Sequence, residues 1–590
     1  MHHRLQIADK IVIVGYFLLL ASIGFYFWRR MKNMRDLFTG GNNIPWWLAG
    51  VSFYLTAFSA FTFVAYAEMA YRYGLVAITL GCSSVAAMIT GTIFLAGRWR
   101  RARIVSPVEF LEARYSPQIR QALAWAGLPL KLIDDGLKIY ATGIFISVGL
   151  GYGLRTSVIV SGAVMSLYTF MGGLWAVVIT DYIQFVILTI GVAVLFPVVF
   201  AHMGGIVAGF HTLAHDAPAG FLSPIREPFS AWYVLAFYLL VIVSYNGNWA
   251  FAQKFYSVRN EREARKAGLL ATFLKIFGPP LFILPAMAAR HLMPELMQPP
   301  NSPQYTYAAL SLKYLPAGLV GLMIAAMFSA TMSTLSGDFN VIASVITEDL
   351  YHRLVNPRAS QRRLILIGRL ATLFAGAVTL LIGVILVGTA KTGLFEVMVT
   401  LFSLFVGPML IPMLAGLLTR RVTWRGAAAG IIAGFSCGFT MYLYQTLFLA
   451  KQPGIDLNWV RYNFEAISIF ANFAVTILAM AITTLIERPT RTEIARITSF
   501  FARLDAPIRV DERNLHEENA FSPLPVIGWI TMGVGILMLA AAATVSGSGR
   551  AINTGVGLVL CAIGLGFHAL NRRVLHKQQA NESLALEKGT

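Results

Sequence analysis

The stretch AGLVGLMIAAMFSATMSTLSGDFNVIASVITEDLY, residues 317–351, decides the fold class. It is long enough to cross roughly 30 Å of hydrocarbon, which takes about 20 mostly apolar residues in a helix. Because unpaired backbone groups are costly in lipid, a run of this length is expected to be helical. Its hydroxyl, amide and carboxyl groups recur at spacings of three and four, so they share neighbouring stripes of that helix. The first stripe holds Ser329, Ser333, Ser336 and Asn340, and the second holds Thr334 and Asp338.

The composition of the whole chain agrees with this membrane helix. Of the 590 residues, 57% are hydrophobic and 13% are charged, and the mean hydropathy is +0.66. An ordinary soluble protein is about 25% charged. This balance argues against a soluble enzyme, and no nucleophile–base pair or phosphate loop is evident. The three cysteines, Cys82, Cys437 and Cys561, all lie in apolar runs and form no zinc-type pair.

Fifteen apolar stretches qualify as transmembrane helices, so we expect an all-α polytopic membrane protein with about 15 spans. Roughly, these are 9–28, 46–71, 74–97, 122–150, 154–173, 175–202, 229–253, 267–290, 315–349, 363–389, 393–418, 426–447, 464–486, 524–544 and 551–571. Roughly two thirds of the 47 Lys and Arg residues fall in alternate connecting segments if the N-terminus lies outside. This bias predicts the orientation and explains the net charge of +19 without nucleic acid.

Charged residues inside predicted spans are the first candidates for a site, because they are expensive in lipid. In KLIDDGLKIYA, residues 131–141, Lys131, Asp134, Asp135 and Lys138 share one helical face. They either neutralise one another inside the bundle or line a cavity for a polar or zwitterionic solute. Asp181 has no cationic neighbour one turn away, so it needs a partner from another helix or a bound cation.

Two predicted spans contain groups that favour a helix break in mid-membrane. The second span carries Thr56, Ser59 and Thr62, and the seventh reads VSYNGNWAFAQK over residues 243–254. Glycine is conformationally permissive, and asparagine bonds to local backbone. Broken helices expose carbonyls that hold ions and solutes in transporters with inverted repeats. The breaks are five spans apart, which suggests a 5+5 repeat of spans 2–6 and 7–11.

Several motifs resemble the sodium/solute symporter family, which includes sodium–proline, sodium–sialic acid, sodium–glucose and iodide transporters. The resemblance covers about 1–450. The stretches that carry it are LFTGGNNIPWWLAGVSFYLTAFSA (37–60), AEMAYRYG (67–74), GGLWAVVITDYIQF (172–185), AFAQKFYSV (250–258), 313–351 and FVGPMLIPMLAGLLTRR (405–421). The last two spans show no comparable match.

The resemblance implies the leucine-transporter fold and Na⁺-coupled symport of a small polar organic solute into the cell. The chain would then divide into a first helix and loop (1–44), repeat 1 (45–203), repeat 2 (229–418) and a peripheral region (419–590). The implied partners are the solute, Na⁺ as the coupling ion and the lipid bilayer of the cell membrane. No other cofactor, no nucleic acid and no obligate protein partner are expected.

The family's sodium site, carried onto this sequence, would use the carbonyls of Leu55, Phe58 and Ala330 with the hydroxyls of Ser333 and Thr334. A second ion or proton site would involve Asp181, Ser336 and Asp338. Gly337 stands where the sialic acid transporters have another serine. The implied substrate pocket comprises Thr56, Ser59, Thr62, Asp135, Lys138, Tyr245, Asn246, Lys275 and Phe402. Val241 and Ser244 stand where sugar carriers have an asparagine and a gating tyrosine.

Two alternatives remain open at this stage. An unpaired carboxylate such as Asp181 or Asp338 could carry a proton, which would make the protein an H⁺-coupled transporter. A symporter-like membrane sensor without transport is the other alternative, although the short C-terminal tail argues against a fused signalling domain. The segment TEIARITSFFARL (492–504) is expected to be either an amphipathic interfacial helix or a solvated connector.

Overall fold

The computed structural model describes residues 5–28, 34–171, 173–299, 301–389, 393–451, 460–487, 489–508 and 522–588. These residues form helices throughout, and they contain no β-strand, only two isolated bridges. The all-helical class predicted from the apolar runs is therefore confirmed.

The described helices follow the predicted spans closely. They are α1 (Ile7–Trp28), α2 (Met34–Thr39), α3 (Trp46–Thr56), α4 (Ala67–Tyr73), α5 (Val76–Phe94), α6 (Ala96–Arg101), α7 (Phe110–Arg114), α8 (Pro117–Leu150), α9 (Leu154–Met171), α10 (Leu174–Ala201), α11 (Ile206–Asp216), α12 (Ala231–Gly247), α13 (Trp249–Tyr256), α14 (Glu261–Leu292), α15 (Thr306–Tyr314), α16 (Leu319–Ser344), α17 (Gln361–Thr389), α18 (Leu394–Leu418), α19 (Trp424–Leu447), α20 (Glu465–Ile486), α21 (Arg491–Asp505), α22 (Leu524–Ala543) and α23 (Gly547–Lys588). A π-helical stretch, Val345–Val355, continues α16.

Within the described ranges, eleven helices are long and apolar enough to cross a membrane, or up to thirteen if each of two bent pairs is one span. One pair is α8 with α9, bent by 117°. The other pair is α12 with α13, bent by 50°. The count of eleven to thirteen is lower than the expected fifteen for physical reasons. A broken span consists of halves that are too short, and α8 carries four charged residues in its centre.

Helix α16 forms the centre of the bundle, since all of its residues from Leu319 to Ser344 are buried. Asp9 of α1 caps its N-terminus, with the carboxylate accepting hydrogen bonds from the backbone N–H groups of Gly318 at 2.7 Å and Gly321 at 2.8 Å. A Cβ on Gly321 would lie 2.6 Å from the Asp9 Cα, so glycine allows the two helix backbones to approach. The capped, glycine-lined contact fixes where α16 starts.

Both expected breaks are present. Helix α3 ends at Thr56, and the chain resumes as a π-helix at Thr62–Tyr66 before α4. The backbone N–H of Ala60, inside this break, donates to the Thr331 hydroxyl of α16 at 2.7 Å. In the seventh span, Asn248 separates α12 from α13, and its side chain caps α13 by accepting from the N–H groups of Ala250 and Phe251. A hydroxyl from a neighbouring helix at the first break, and the Asn248 side chain at the second, thus replace missing helical hydrogen bonds.

Arginine side chains tie connecting segments together at one end of the bundle. Arg100 donates to the backbone oxygens of Val258 and Arg259 at 2.6 and 3.0 Å. Arg114, which is 1% exposed, donates to the carbonyls of Thr419 and Val422. Some of the basic residues whose distribution predicts the orientation in the membrane therefore also hold connecting segments together.

The segment 492–504 forms a helix, as one of the two alternatives predicted. A capping box of Thr490 and Glu493 starts α21. Its apolar residues Phe500, Phe501 and Leu504 are buried, and the helix contacts α6 and α7. The C-terminal half of its apolar face therefore packs against protein, whereas Ile494 in the N-terminal half is 50% exposed.

Helices α22 and α23 form a hairpin that packs on α1. Glycines line the hairpin, since a Cβ on Gly535 would lie 2.8 Å from the Gly557 oxygen, and one on Gly528 would lie 2.9 Å from the Gly564 oxygen. Small residues that allow close backbone approach are a usual device of membrane helix pairs.

Candidate ion site and central cavity

The break between α3 and α4 brings backbone carbonyls to α16. The Thr334 hydroxyl lies 2.6 Å from the Phe58 oxygen, 3.2 Å from the Thr56 oxygen and 3.2 Å from the Ala330 oxygen. Four buried oxygens therefore converge, two from α16 and two from the end of α3 and the break that follows it. Such a set of hydroxyl and unwound-backbone oxygens suits Na⁺.

The five expected sodium-site residues have different places in this arrangement. The structure brings Phe58, Ala330 and Thr334 together directly. The Leu55 oxygen accepts the N–H of Phe58 at 2.7 Å, and the Thr56 oxygen faces Thr334. Ser333 is adjacent in sequence, but its hydroxyl donates to Asp181 at 2.5 Å. The sequence missed the Thr56 carbonyl because the exact residue at which a helix unwinds depends on tertiary contacts.

The expected partner of Asp181 comes from other helices. Its carboxylate accepts hydrogen bonds from Ser52 of α3 and Ser333 of α16. The Lys254 ammonium of α13 lies 3.9 Å away, and both charged side chains are fully buried. Asp181 is therefore linked to the oxygen cluster through Ser333, the neighbour of Thr334, and Lys254 of α13 balances its charge.

The structure does not place the three residues of the expected second site in one cluster. The Ser336 hydroxyl donates to the Ser333 backbone oxygen at 3.0 Å. Asp338 pairs with Lys131 and Lys138 of α8, whereas Asp181 pairs with Lys254. The two carboxylates thus have separate sets of partners.

The charged face of α8 meets Asp338 in one buried cluster. The Lys138 ammonium lies 2.9 Å from Asp134, 2.8 Å from Asp135 and 2.9 Å from Asp338. The three carboxylates offer oxygens within 4.8 Å of one another. Because the Lys138 ammonium contacts all three, it already occupies the position that a metal ion would take.

A central cavity opens between the two breaks, with about 140 Å³ available to the centres of water-sized molecules. Seven of the nine expected pocket residues line it: Thr56, Ser59, Thr62, Lys138, Tyr245, Lys275 and Phe402. Asp338 and Thr334 also reach it, so the cavity adjoins both the charged cluster and the oxygen cluster. Val241 and Ser244 line it as well.

The other two expected pocket residues have different surroundings. Asp135 does not line the cavity and lies behind Lys138, while Asp134, one residue earlier, faces the cavity. Asn246 donates to the Ala87 and Ile242 carbonyls, and Asn248 lines the cavity instead. The sequence shows which residues share a helical face, but the packing of neighbouring helices decides which face lines the cavity.

Sequence reasoning missed several cavity residues on α5 and α12, including Ser83, Ser84 and Phe237. Ser83 and Ser84 donate to the Leu80 and Gly81 carbonyls of their own helix at 2.6 and 2.7 Å. Both serines lie in a span without charged residues, so the sequence gave little indication that they line a binding cavity. Two adjacent serines in an apolar helix were the available hint.

Comparisons with known proteins agree with this geometry. The profile of the sodium:solute symporter family matches residues 37–434. The sodium/glucose cotransporter 4 of Danio rerio is 28% identical over 69% of this chain and 67% of its own length. The sodium/sialic acid symporter NanT of Aliivibrio fischeri is 24% identical over 68% of this chain and 81% of its own length.

A solved structure shares the fold. It shows a Na⁺-coupled sialic acid symporter in a substrate-bound outward-open state, with a TM-score of 0.71 and 23% identity, over 82% of this chain and 98% of that one. The family match extends over most of the helical bundle and includes both breaks, α16 and the cavity. The chain therefore belongs to the sodium:solute symporter family and is a multi-pass protein of the cell membrane that couples solute transport to Na⁺.

Proposed function

We propose that Na⁺ binds between the break in the second span and α16, held by the Thr334 hydroxyl and the carbonyls of Thr56, Phe58 and Ala330. The convergence of these oxygens within 2.6–3.2 Å of the Thr334 hydroxyl carries the proposal. The Ser333 hydroxyl supports the site from its bond to Asp181. An ion here would bridge α3 and α16, so it would stabilise one arrangement of these helices over the other.

The solute binds, in this proposal, in the central cavity between the two breaks. Thr56 and Thr334 belong to both the ion site and the cavity wall, which gives a direct route for coupling. Once Na⁺ and the solute have both bound, closure of the cavity towards the outside would carry them into the cell by alternating access. Each entering charge contributes about 2.3 kcal/mol per 100 mV of membrane potential.

We further propose fifteen spans with the N-terminus outside, in a leucine-transporter-type 5+5 inverted repeat. Residues 45–203 form repeat 1, 229–418 form repeat 2, and 1–44 and 419–590 are peripheral. The two breaks support this division, because each lies in the first span of its repeat. At 1.5 Å per residue, the 34 residues of α8 span about 51 Å and the 18 residues of α9 about 27 Å, so each falls within or above the length that a separate span needs.

Sodium-dependent thermal stabilisation of the purified protein tests the ion site without a known solute. Na⁺ is titrated against choline at constant ionic strength, and the titration is repeated on the double variant Ser333→Ala/Thr334→Ala. A Na⁺-specific rise in Tm in the wild type, and its loss in the double variant, is expected because a bound ligand stabilises the folded state. Equal Na⁺ dependence in both proteins would reject the assignment of these two residues.

A further inference from the structure

We propose that the solute of the central cavity is a zwitterion, with its cationic group facing Asp134 and Asp338 and its anionic group facing Lys275. This inference rests on the proposed function of the cavity as the solute site. It follows from two buried charge imbalances of opposite sign that line the same space.

The first imbalance lies in the cluster between α8 and α16. It contains three carboxyl groups, those of Asp134, Asp135 and Asp338, and two ammonium groups, those of Lys131 and Lys138, so the acidic groups outnumber the basic ones by one. None of the five side chains is more than 12% exposed. Both oxygens of Asp338 face an ammonium group, Oδ1 that of Lys131 and Oδ2 that of Lys138, and one oxygen of Asp135 has no hydrogen-bond partner among the described residues. Asp134 and Asp338 line the cavity.

The second imbalance is Lys275 of α14, which is 4% exposed and lines the cavity. Its ammonium lies 3.7 Å from the centre of the Phe58 ring and 3.5 Å from the Ala57 oxygen. Across the described part of the chain, no carboxylate lies within 4 Å of it. A buried ammonium that has only a ring and a distant carbonyl is short of an anionic partner.

A zwitterion would compensate both imbalances at once. Among the hydroxyls of the wall, those of Thr56, Ser83 and Ser84 donate their protons to carbonyls of their own helices. They offer only acceptor oxygens to a solute, which suits the N–H groups of an ammonium. Between the two charged regions, rings such as Phe251 and Phe402 line the cavity and suit a short apolar carbon chain.

The test measures Na⁺-driven charge movement in proteoliposomes on a solid-supported membrane. The zwitterions are glycine, β-alanine, γ-aminobutyrate, 6-aminohexanoate and L-proline. Butyrate, butylamine and D-glucose are the singly charged and neutral controls. We expect at least one zwitterion to elicit a current in Na⁺, with at least tenfold higher apparent affinity than any control. A hydrogen bond to a charged group is worth about tenfold or more.

Three variants locate the two charged regions. Lys275→Met should weaken the response to the active zwitterion about tenfold or more, and Lys275→Arg should retain more of it. Asp134→Asn removes an acidic group from the cavity wall, so it should weaken zwitterion binding and raise the affinity for butyrate relative to the zwitterion. Lys313→Met is the matched control, since Lys313 is an exposed lysine outside the cavity. If a variant does not fold, the responses of the wild-type protein to the zwitterions and controls still test the inference.

The outcomes separate this inference from the proposed function. A response to D-glucose or butyrate with none to a zwitterion would overturn the inference and leave the Na⁺ site intact. Na⁺-dependent stabilisation without a response to any zwitterion would also overturn it. Absence of Na⁺-dependent stabilisation in the wild type would instead overturn the proposed function.

Discussion

Replacing Thr334 by valine removes the hydroxyl while keeping a β-branched side chain of nearly the same shape. In the structure this hydroxyl has three carbonyl oxygens within 3.2 Å, so the change deletes the central oxygen of the proposed ion site. A hydrogen bond or contact to a charged group is worth about 1.5–3 kcal/mol. The apparent Na⁺ affinity should therefore fall by roughly 10- to 150-fold.

The assay is the Na⁺ dependence of Tm at constant ionic strength. At a Na⁺ concentration of 100 times Kd, the ion stabilises the folded state by about 2.7 kcal/mol, and a hundredfold loss of affinity reduces this to about 0.4 kcal/mol. Thr334→Ser keeps the hydroxyl oxygen, so its Na⁺ affinity should stay close to that of the wild type. Ser344→Ala is the control on the same helix, because that hydroxyl donates only to the Val341 carbonyl.

Wild-type Na⁺ dependence in a normally folded Thr334→Val variant would refute a Na⁺ ligand at this position. Equal weakening of Na⁺ binding by Ser344→Ala and Thr334→Val would refute it too, since the effect would then reflect general loosening of α16. A loss confined to Thr334→Val, with recovery in Thr334→Ser, agrees with an oxygen ligand at this position.

Three further predictions concern contacts around the site and the bundle. Lys254→Met leaves Asp181 buried without its cation and should cost about 3–5 kcal/mol of stability in Na⁺-free buffer, as measured by thermal unfolding. The double variant Lys254→Met/Asp181→Asn should recover much of this loss. Asp9→Ala removes the cap from α16 and should cost about 1–2 kcal/mol, measured as a lower Tm. Trp424→Phe deletes the indole N–H that donates to Glu493 at 2.6 Å, so about 1 kcal/mol of α21 docking should be lost, seen as faster limited proteolysis near that helix.

Each of these has a contrary result. Additive effects of the Lys254 and Asp181 changes would show that the two groups do not interact. An unchanged Tm in Asp9→Ala would mean that water or another group caps the N-terminus of α16 equally well. Equal proteolysis of Trp424→Phe and wild type would show that the buried phenylalanines of α21 hold the helix without this bond.

The sequence predicted the helical class and the positions of most helices because hydrophobic length is a local property. It also predicted a break near Asn246–Asn248, where glycine and asparagine interrupt an apolar run, and the chain bends by 50° there. The polar stripe of α16 indicated the helix to which the oxygen cluster around Thr334 belongs. These signals are local in the chain, and lipid makes each of them costly to place elsewhere.

The choice between neighbouring residues was made by tertiary packing. Asp134 faces the cavity and Asp135 does not, because the contacts of α8 with α16 and α17 set its rotation. Lys254 becomes the partner of Asp181 only because the break in the seventh span turns α13 towards α10 and α16. The acidic cluster, built from α8 and α16, and Lys275 of α14 lie more than sixty residues apart in the sequence, and only the packing of these helices brings them to the same cavity.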